Sequence, residues 1–106
     1  MNRSYKSALQ SGFVKPIRSK AYLNYVASLP CVVCGHEPAG EAHHMIDVGF
    51  GGMGTKESDL FTFPLSRKEY ILLHEDVKLW EEKHGSQWMW VAITIHQAIT
   101  DGVIDL

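Results

Sequence analysis

The segment Glu41-Ala42-His43-His44-Met45-Ile46 decides how this chain is interpreted, because it carries two adjacent imidazoles in what is predicted to be a short strand. Adjacent residues of a strand face opposite sides of the sheet. Neutral imidazole can ligate a metal or take a proton from water near neutral pH. One ring of the pair could therefore bind a metal while its neighbour points at an attacking water. Two ordinary surface or core histidines would also account for the pair.

The residues that follow predict a loop, a second strand and a helix. Residues 49–54 are glycine-rich and predict a flexible loop. A short apolar strand is expected over residues 60–63. Ser66 is placed to cap a helix that runs to about His74, with Glu69 at the third helical position completing a capping box. If this helix packs on the two strands, His74 can meet a histidine of the strand.

Further helices are predicted on either side of this unit. Ser19 is a good N-cap for a helix that ends before Pro30, and two more helices are expected over residues 76–84 and 86–100. Aromatic residues recur in the carboxyl-terminal half at helical spacing, which is typical of core packing. The predicted fold class is therefore α+β.

The segment Cys31-Val32-Val33-Cys34 precedes the histidines and predicts a short strand that turns at a knuckle. Two thiolates at this spacing can bind one zinc ion. A structural zinc site needs four ligands, so His36, Glu69 or another side chain would have to complete it. Two alternatives stay open, namely a pair of small buried apolar side chains and a redox-active thiol pair.

The length and composition indicate one globular domain. The chain has 106 residues, of which 45% are hydrophobic and 21% are charged, so a large multidomain enzyme and a doubly wound nucleotide-binding fold are excluded. No apolar run approaches the ~20 residues of a membrane span, and the first ten residues lack the apolar core of a secretory signal. We therefore expect a cytoplasmic protein without a membrane partner.

Charge is divided unevenly along the chain. The first 36 residues carry five basic and no acidic side chains, whereas residues 37–106 carry five basic and twelve acidic ones. Residues 1–18 are therefore interpreted as a basic extended arm, and residues 19–106 as the folded domain. A basic arm on an acidic body could hold phosphate locally, and a solvated tail is the alternative.

In their order and spacing, these motifs resemble the HNH, or ββα-metal, nucleases. The resemblance is strongest to a phage and prophage branch that includes the RecA-dependent nuclease Ref, and it covers roughly residues 19–104. It implies a small ββα-metal core with flanking helices, in which residues 19–106 form an HNH-like nuclease domain. The segments that carry the resemblance are Cys31-Val32-Val33-Cys34, Glu41-Ala42-His43-His44, the glycine-rich loop, Ser58-Asp59-Leu60, Pro64-Leu65, His74 and Trp80-Glu81-Glu82-Lys83-His84-Gly85.

The resemblance also implies an activity, which is metal-dependent hydrolysis of DNA by an endonuclease or nicking enzyme of phage or prophage origin, with a part in recombination. By this resemblance, His43 and His74 would ligate a catalytic Mg²⁺ or Mn²⁺. His44 would be the general base that deprotonates water, and Asp59 stands near the family's middle asparagine, which orients the hairpin and the base. The implied partners are DNA and a recombinase filament.

The chain departs from the family pattern at three positions. Ser66 stands where the family has a cysteine, and Glu69 and Tyr70 stand where it has two histidines. Together with Cys31 and Cys34, Ser66 and Glu69 would align with a structural zinc site. A carboxylate can bind the metal of such a site, but serine is a poor zinc ligand. Tyr70 aligns with a ligand of the catalytic metal. The departures leave open a catalytically degenerate HNH-like module that binds DNA or a protein, and also a zinc-free interaction protein.

Basic side chains near the candidate site predict contacts with DNA. Arg67 and Lys68 lie at the start of the predicted helix, where they could clamp adjacent phosphates. Lys20 and Arg18, where the arm meets the domain, are the other predicted DNA-binding residues. The alternative for Arg67 and Lys68 is ordinary solvated surface charge.

Overall fold

The computed structural model describes residues 16–46 and 58–106. Within these ranges the chain forms helices and a two-stranded sheet, so the predicted mixture of α and β structure is confirmed. Residues 1–15 of the predicted arm and the glycine-rich loop over 49–54 lie outside the described residues. No helix of the described part has the length and apolar character needed to cross a bilayer. The elements, in chain order, are α1 (Lys20–Ser28), β1 (Ala42–His44), β2 (Thr62–Pro64), α2 (Arg67–Glu75), α3 (Val77–His84) and α4 (Gln87–Thr100).

Serine hydroxyls begin three of the helices, as the sequence predicts. The side chains of Ser19, Ser66 and Ser86 each accept a backbone N–H from three residues further on, which satisfies a donor that the first helical turn leaves free. Asp76 caps α3 in the same way, and its backbone is also the C-cap of α2. The helix predicted from Asp76 therefore begins at Val77, after a break of one residue.

The strand predicted at Cys31 is wrong, because this segment folds as a turn. The N–H of Gly35 donates to the C=O of Cys31 at 3.0 Å, and the N–H of Cys31 donates to the C=O of His36 at 3.0 Å. These local hydrogen bonds use backbone groups that a strand would offer to its neighbour. A bond of 3.1 Å from the N–H of Val32 to the C=O of Pro64 ties the turn to β2.

The sheet is antiparallel and each of its strands has three residues. The second strand begins at Thr62, two residues later than predicted, and all of its residues are buried. The three residues of the first strand are only partly buried, so β1 is the strand that presents side chains to solvent. The register pairs Ala42 with Pro64, His43 with Phe63 and His44 with Thr62.

The apolar core joins β2 to three helices. Phe63 and Leu65 pack with Leu73 of α2, Trp80 of α3 and Val91 of α4, and all five side chains are nearly inaccessible to solvent. Burial of such side chains stabilises a fold by about 1.5–3 kcal/mol each. A second cluster joins α1 to α4 and consists of Tyr22, Val26 and Ala98. Because α2 and the sheet pack on the same apolar cluster, side chains of β1 and of α2 lie close to one another.

A buried glutamine fastens α4 to the segment that follows β1. The side chain of Gln87 is fully buried. Its Nε2 donates to the C=O of Ile46 at 2.7 Å, and its Oε1 accepts the N–H of Ile46 at 2.9 Å. One side-chain amide thus satisfies both backbone groups of a residue, as a neighbouring strand would do.

Candidate functional site

His43 lies where a carboxylate and a guanidinium converge on one face of β1. Its Nε2 is 2.5 Å from Oε2 of Glu41, and Nη2 of Arg67 is 2.5 Å from Oε1 of the same carboxylate. The side chain of His43 is 12% exposed, whereas that of Arg67 is 65% exposed. Glu41 therefore bridges a largely buried imidazole to a surface guanidinium at the start of α2.

Tyr70 contacts both imidazoles of the predicted metal pair. Its ring stacks on that of His43, with centroids 3.9 Å apart and planes 13° apart. It also meets the ring of His74 edge-on, with centroids 4.2 Å apart. His43 and His74, the two predicted metal ligands, therefore both contact the ring of Tyr70. This tyrosine stands where the family pattern has a third histidine.

Burial keeps His43 in its neutral form. Loss of solvent lowers the pKa of this imidazole, and the positive charges of Arg67 and His74 lower the pKa further, although the contact with Glu41 acts in the opposite direction. Because the pKa ends below its ordinary value of about 6.5, the ring carries no charge at neutral pH. A neutral imidazole has the lone pair that metal binding requires.

His44 points to the other side of β1 and pairs with Asp59. Its Nε2 is 2.9 Å from Oδ1 of this carboxylate, which also lies 3.6 Å from Nη1 of Arg18. The second oxygen, Oδ2, accepts the N–H of Ser19 at 2.8 Å. The side chain of Asp59 is 8% exposed and that of His44 is 34% exposed. A buried carboxylate thus holds an imidazole that solvent can reach, which is the arrangement that orients a general base.

Asp59 remains ionised in this environment. Burial raises the pKa of its carboxyl, but hydrogen bonds from the Ser19 N–H and from His44 lower the pKa more, and Arg18 adds to the lowering. The net pKa lies below the ordinary value of an aspartate. An ionised carboxylate can only accept hydrogen bonds, so Nε2 of His44 must carry a proton and donate it to Asp59. The other ring nitrogen, Nδ1, is then the one with a free lone pair.

The two cysteines form a cluster with Ser66 at the start of α2. The sulfur atoms of Cys31 and Cys34 lie 3.7 and 3.8 Å from Oγ of Ser66. The N–H of Ser66 donates to Sγ of Cys31 at 3.4 Å. Glu69, the other predicted ligand here, is buried, and its N–H donates to Oγ of Ser66 at 3.5 Å. Only one of the two bonds of the predicted capping box is therefore formed. Oγ of Ser66 accepts the N–H of Glu69, but the N–H of Ser66 donates to Sγ of Cys31 instead of to the Glu69 side chain.

The thiol of Cys31 is more acidic than an ordinary cysteine. Burial raises the pKa of its thiol, but the backbone N–H groups of Cys34, Ser66 and Val33 and the thiol of Cys34 lower the pKa by more, to about 7. Both cysteines are free thiols, and Cys31 is buried whereas Cys34 is exposed. Thiolate character is what makes a cysteine a nucleophile or a metal ligand.

The cysteine cluster at Ser66 and the residues around β1 suit different metal ions. Over residues 16–46 and 58–106, no three His, Cys, Asp or Glu side chains converge closely enough to hold a metal ion. At the knuckle, two thiols and a hydroxyl fall short of the four ligands of a closed zinc site, so zinc there stays a prediction. At β1, a carboxylate in contact with an imidazole suits Mg²⁺ or Mn²⁺, because these ions bind through few protein ligands and keep several waters.

The four predicted DNA-binding residues fall into two groups. Arg67 and Arg18 each pair with the carboxylate that contacts one of the two β1 histidines. Lys20 and Lys68 are exposed in the first turns of α1 and α2. Guanidinium groups therefore lie on both sides of β1, next to the candidate site, and the two lysines lie further out on the surface.

Glu41 is the candidate functional residue that the sequence analysis missed. It precedes His43 by two positions, and residues i and i+2 of an extended chain share a face. That spacing is the signal that could have identified it. The stacking of Tyr70 on His43 carries no such signal, because it depends on where α2 packs against the sheet.

Comparisons with known proteins identify the family of the chain. The chain is 45% identical, over 83 residues that make up 78% of its length, to the uncharacterized protein YdfU of Escherichia coli (strain K12). It spans 24% of the length of that relative. No solved structure matches. A family model described as a protein of unknown function, DUF968, matches residues 8–102. Because this match extends over most of the sequence, the chain belongs to the DUF968 family.

Proposed function

We propose that the protein is a metal-dependent DNA endonuclease or nicking enzyme of the HNH, or ββα-metal, type. The observation that carries this proposal is the pair formed by His44 and Asp59, an imidazole open to solvent on a buried carboxylate 2.9 Å away. His44 lies on β1, the strand that also carries His43, and Asp59 lies in the turn before β2. The order of β1, β2 and α2 supports the proposal, because it is the order that the resemblance implies for a ββα unit.

His44 is the proposed general base. Its Nε2 donates to the ionised Asp59, so Nδ1 is the nitrogen that can take a proton from a water molecule. The carboxylate fixes the orientation of the ring and stabilises the imidazolium that forms when the proton arrives. The deprotonated water would then attack the phosphorus of the DNA backbone in line with the leaving oxygen.

Residues on both sides of β1 would serve the phosphate. A divalent cation, when bound, supplies Lewis-acid stabilisation of the charge that builds on the phosphate oxygens. Glu41 and His43, which are in contact, would hold it with waters in its other positions, and His74 is the further ligand that the resemblance implies. Arg67 and Arg18 present planar guanidinium groups that suit phosphate oxygens, and both are exposed enough to contact a DNA backbone.

Substitution of His44 tests the proposal directly. Wild-type protein is expected to nick supercoiled plasmid with Mg²⁺ or Mn²⁺, and His44→Ala is expected to lower the rate at least about 100-fold, because a general base contributes that much or more. His96→Ala, at an exposed position of α4, is the matched control and should nick like wild type. Both variants should keep the wild-type circular dichroism spectrum. Cutting by His44→Ala at the wild-type rate would show that the mechanism is wrong.

Tyr70 favours a second candidate function, a module that binds DNA or a protein without cutting. Its ring covers one face of His43 and contacts His74, and a phenol is a poor ligand for a divalent cation. The substitution Tyr70→His separates the two candidates. A weakened nuclease should gain rate or require less metal, whereas a binding module should show salt-dependent DNA affinity and no nicking in either form.

A further inference from the structure

The Cys31–Cys34 turn holds two sulfur atoms that the proposed nuclease reaction does not use. The hydrogen bond from the N–H of Gly35 to the C=O of Cys31, at 3.0 Å, closes the turn between them. This bond joins residues i and i+4 and closes an α-turn, which places its first and fourth residues, Cys31 and Cys34, on one side of the turn. The two sulfurs lie 3.7 and 3.8 Å from the same atom, Oγ of Ser66. The turn therefore brings the two thiols together beside Ser66, and a disulfide between them requires a Cα–Cα distance of about 4.4–6.8 Å.

The two thiols differ in their access to solvent. Cys34 is exposed, whereas Cys31 is only 3% exposed and lies under the turn. A reagent that arrives from solvent therefore meets Cys34 first. The sulfur of Cys31 accepts the N–H of Ser66, the N-cap of α2, at 3.4 Å. Cys31 is thus placed to react with Cys34 rather than with a molecule in solution.

We propose that Cys31 and Cys34 form a reversible dithiol–disulfide site that reacts with low-molecular-weight disulfides such as glutathione disulfide. The thiolate of Cys34 attacks one sulfur of the reagent, whose S–S bond breaks, and one glutathione thiolate leaves. Cys31 then attacks the sulfur of Cys34, which releases the second glutathione thiolate. The two thiol protons pass to the leaving thiolates. The protein loses two electrons and gains a Cys31–Cys34 bond, while glutathione disulfide is reduced to two thiols.

Ser66 connects this site to α2. Its Oγ interacts with both thiols and also accepts the N–H of Glu69 in the first helical turn. The N–H of Glu69 takes one of the two lone pairs of this oxygen, so one thiol at a time can donate to it. A disulfide has no S–H to donate, so oxidation removes that hydrogen bond and leaves the helix cap. The hydroxyl therefore favours the reduced form of the pair.

Equilibration of the full chain with graded ratios of reduced to oxidised glutathione tests the proposal. After quenching with an alkylating reagent, mass spectrometry should show one transition from the doubly alkylated chain to a chain that has lost two hydrogens. Cys31→Ser should instead stop as a glutathione adduct on Cys34. A wild-type chain that also stops at the adduct would overturn the proposal. So would one zinc ion per chain, by elemental analysis, that shields both thiols from alkylation until a chelator removes it.

Ser66→Ala gives an independent measure of the same site. The reduced thiols lose their shared acceptor, so the glutathione ratio at the midpoint should shift several-fold toward easier oxidation. Ser86→Ala is the matched control, because it removes the N-cap of α4, a helix end that lies away from the two cysteines in the sequence. Its midpoint should equal that of wild type. An unshifted midpoint in Ser66→Ala would contradict the role given to the hydroxyl.

Discussion

At the scale of single residues, one arrangement occurs on both faces of β1: a carboxylate contacts a histidine and an arginine. The two copies differ in burial, since one imidazole is 12% exposed and the other 34%. A buried neutral ring suits a metal ligand, whereas an accessible ring on an ionised carboxylate suits proton transfer. The two sets are Glu41 with His43 and Arg67, and Asp59 with His44 and Arg18.

The lowered pKa of His43 predicts a loss of stability in mild acid. As the pH falls below about 6.5, the unfolded chain takes up the proton first, because the folded imidazole has the lower pKa. The contribution of this group is therefore complete above about pH 6.5 and is lost as the pH falls through the lowered pKa. Urea unfolding between pH 7 and 5 should show this slope in wild type and a flatter one in His43→Gln.

An exposed histidine provides the control for that measurement. His36→Gln changes a surface imidazole and should leave the pH dependence of the unfolding free energy as in wild type. If His43→Gln retains the full slope, burial of this ring does not couple folding to protonation.

At the scale of secondary-structure elements, Asp76 sets the boundary between two helices, because it caps both of them. Its N–H bonds to the C=O of Leu72 as the C-cap of α2, and its Oδ1 accepts the N–H of Leu79 at 3.0 Å as the N-cap of α3. The backbone of Asp76 is extended, which interrupts the helix between two otherwise similar segments. The angle between α2 and α3, and with it the position of Trp80 in the core, depends on this residue.

Removal of the Asp76 side chain should weaken the fold through α3. Asp76→Ala is expected to lower the free energy of unfolding by about 1 kcal/mol, the usual cost of a lost N-cap. Asp76→Asn, which keeps an oxygen that can cap the helix, should lose only a few tenths of that amount. Urea denaturation measures both variants, and an equal loss in the two would point to charge rather than capping.

The elements that the sequence predicts well are those with local causes. Ser19, Ser66 and Ser86 cap helices through bonds that span three residues, so their positions are readable from the chain itself. The opposite directions of His43 and His44 follow from the period of a strand in the same way. The contacts of the Cys31 sulfur with Ser66 span 35 residues, and they exist only after α2 has packed on the sheet.

At the scale of the whole molecule, Gln87 joins the long carboxyl-terminal helix to the segment that follows β1. Its side chain is fully buried, and it makes two hydrogen bonds to the backbone of Ile46. Gln87→Ala is therefore expected to lower the free energy of unfolding by about 2–4 kcal/mol, from unsatisfied backbone groups and a cavity. Gln97→Ala, at an exposed position of the same helix, should change it by less than about 0.5 kcal/mol. Comparable losses in the two variants would contradict this account.

The same glutamine also affects how two copies of the protein can meet. An open edge of a sheet is a template on which another polypeptide can pair, and this is a common route to aggregation. At Ile46 the N–H and C=O are already occupied by a side chain of their own molecule. An incoming strand would find no free donor at Ile46, two residues beyond β1, so Gln87 opposes strand pairing past the end of β1.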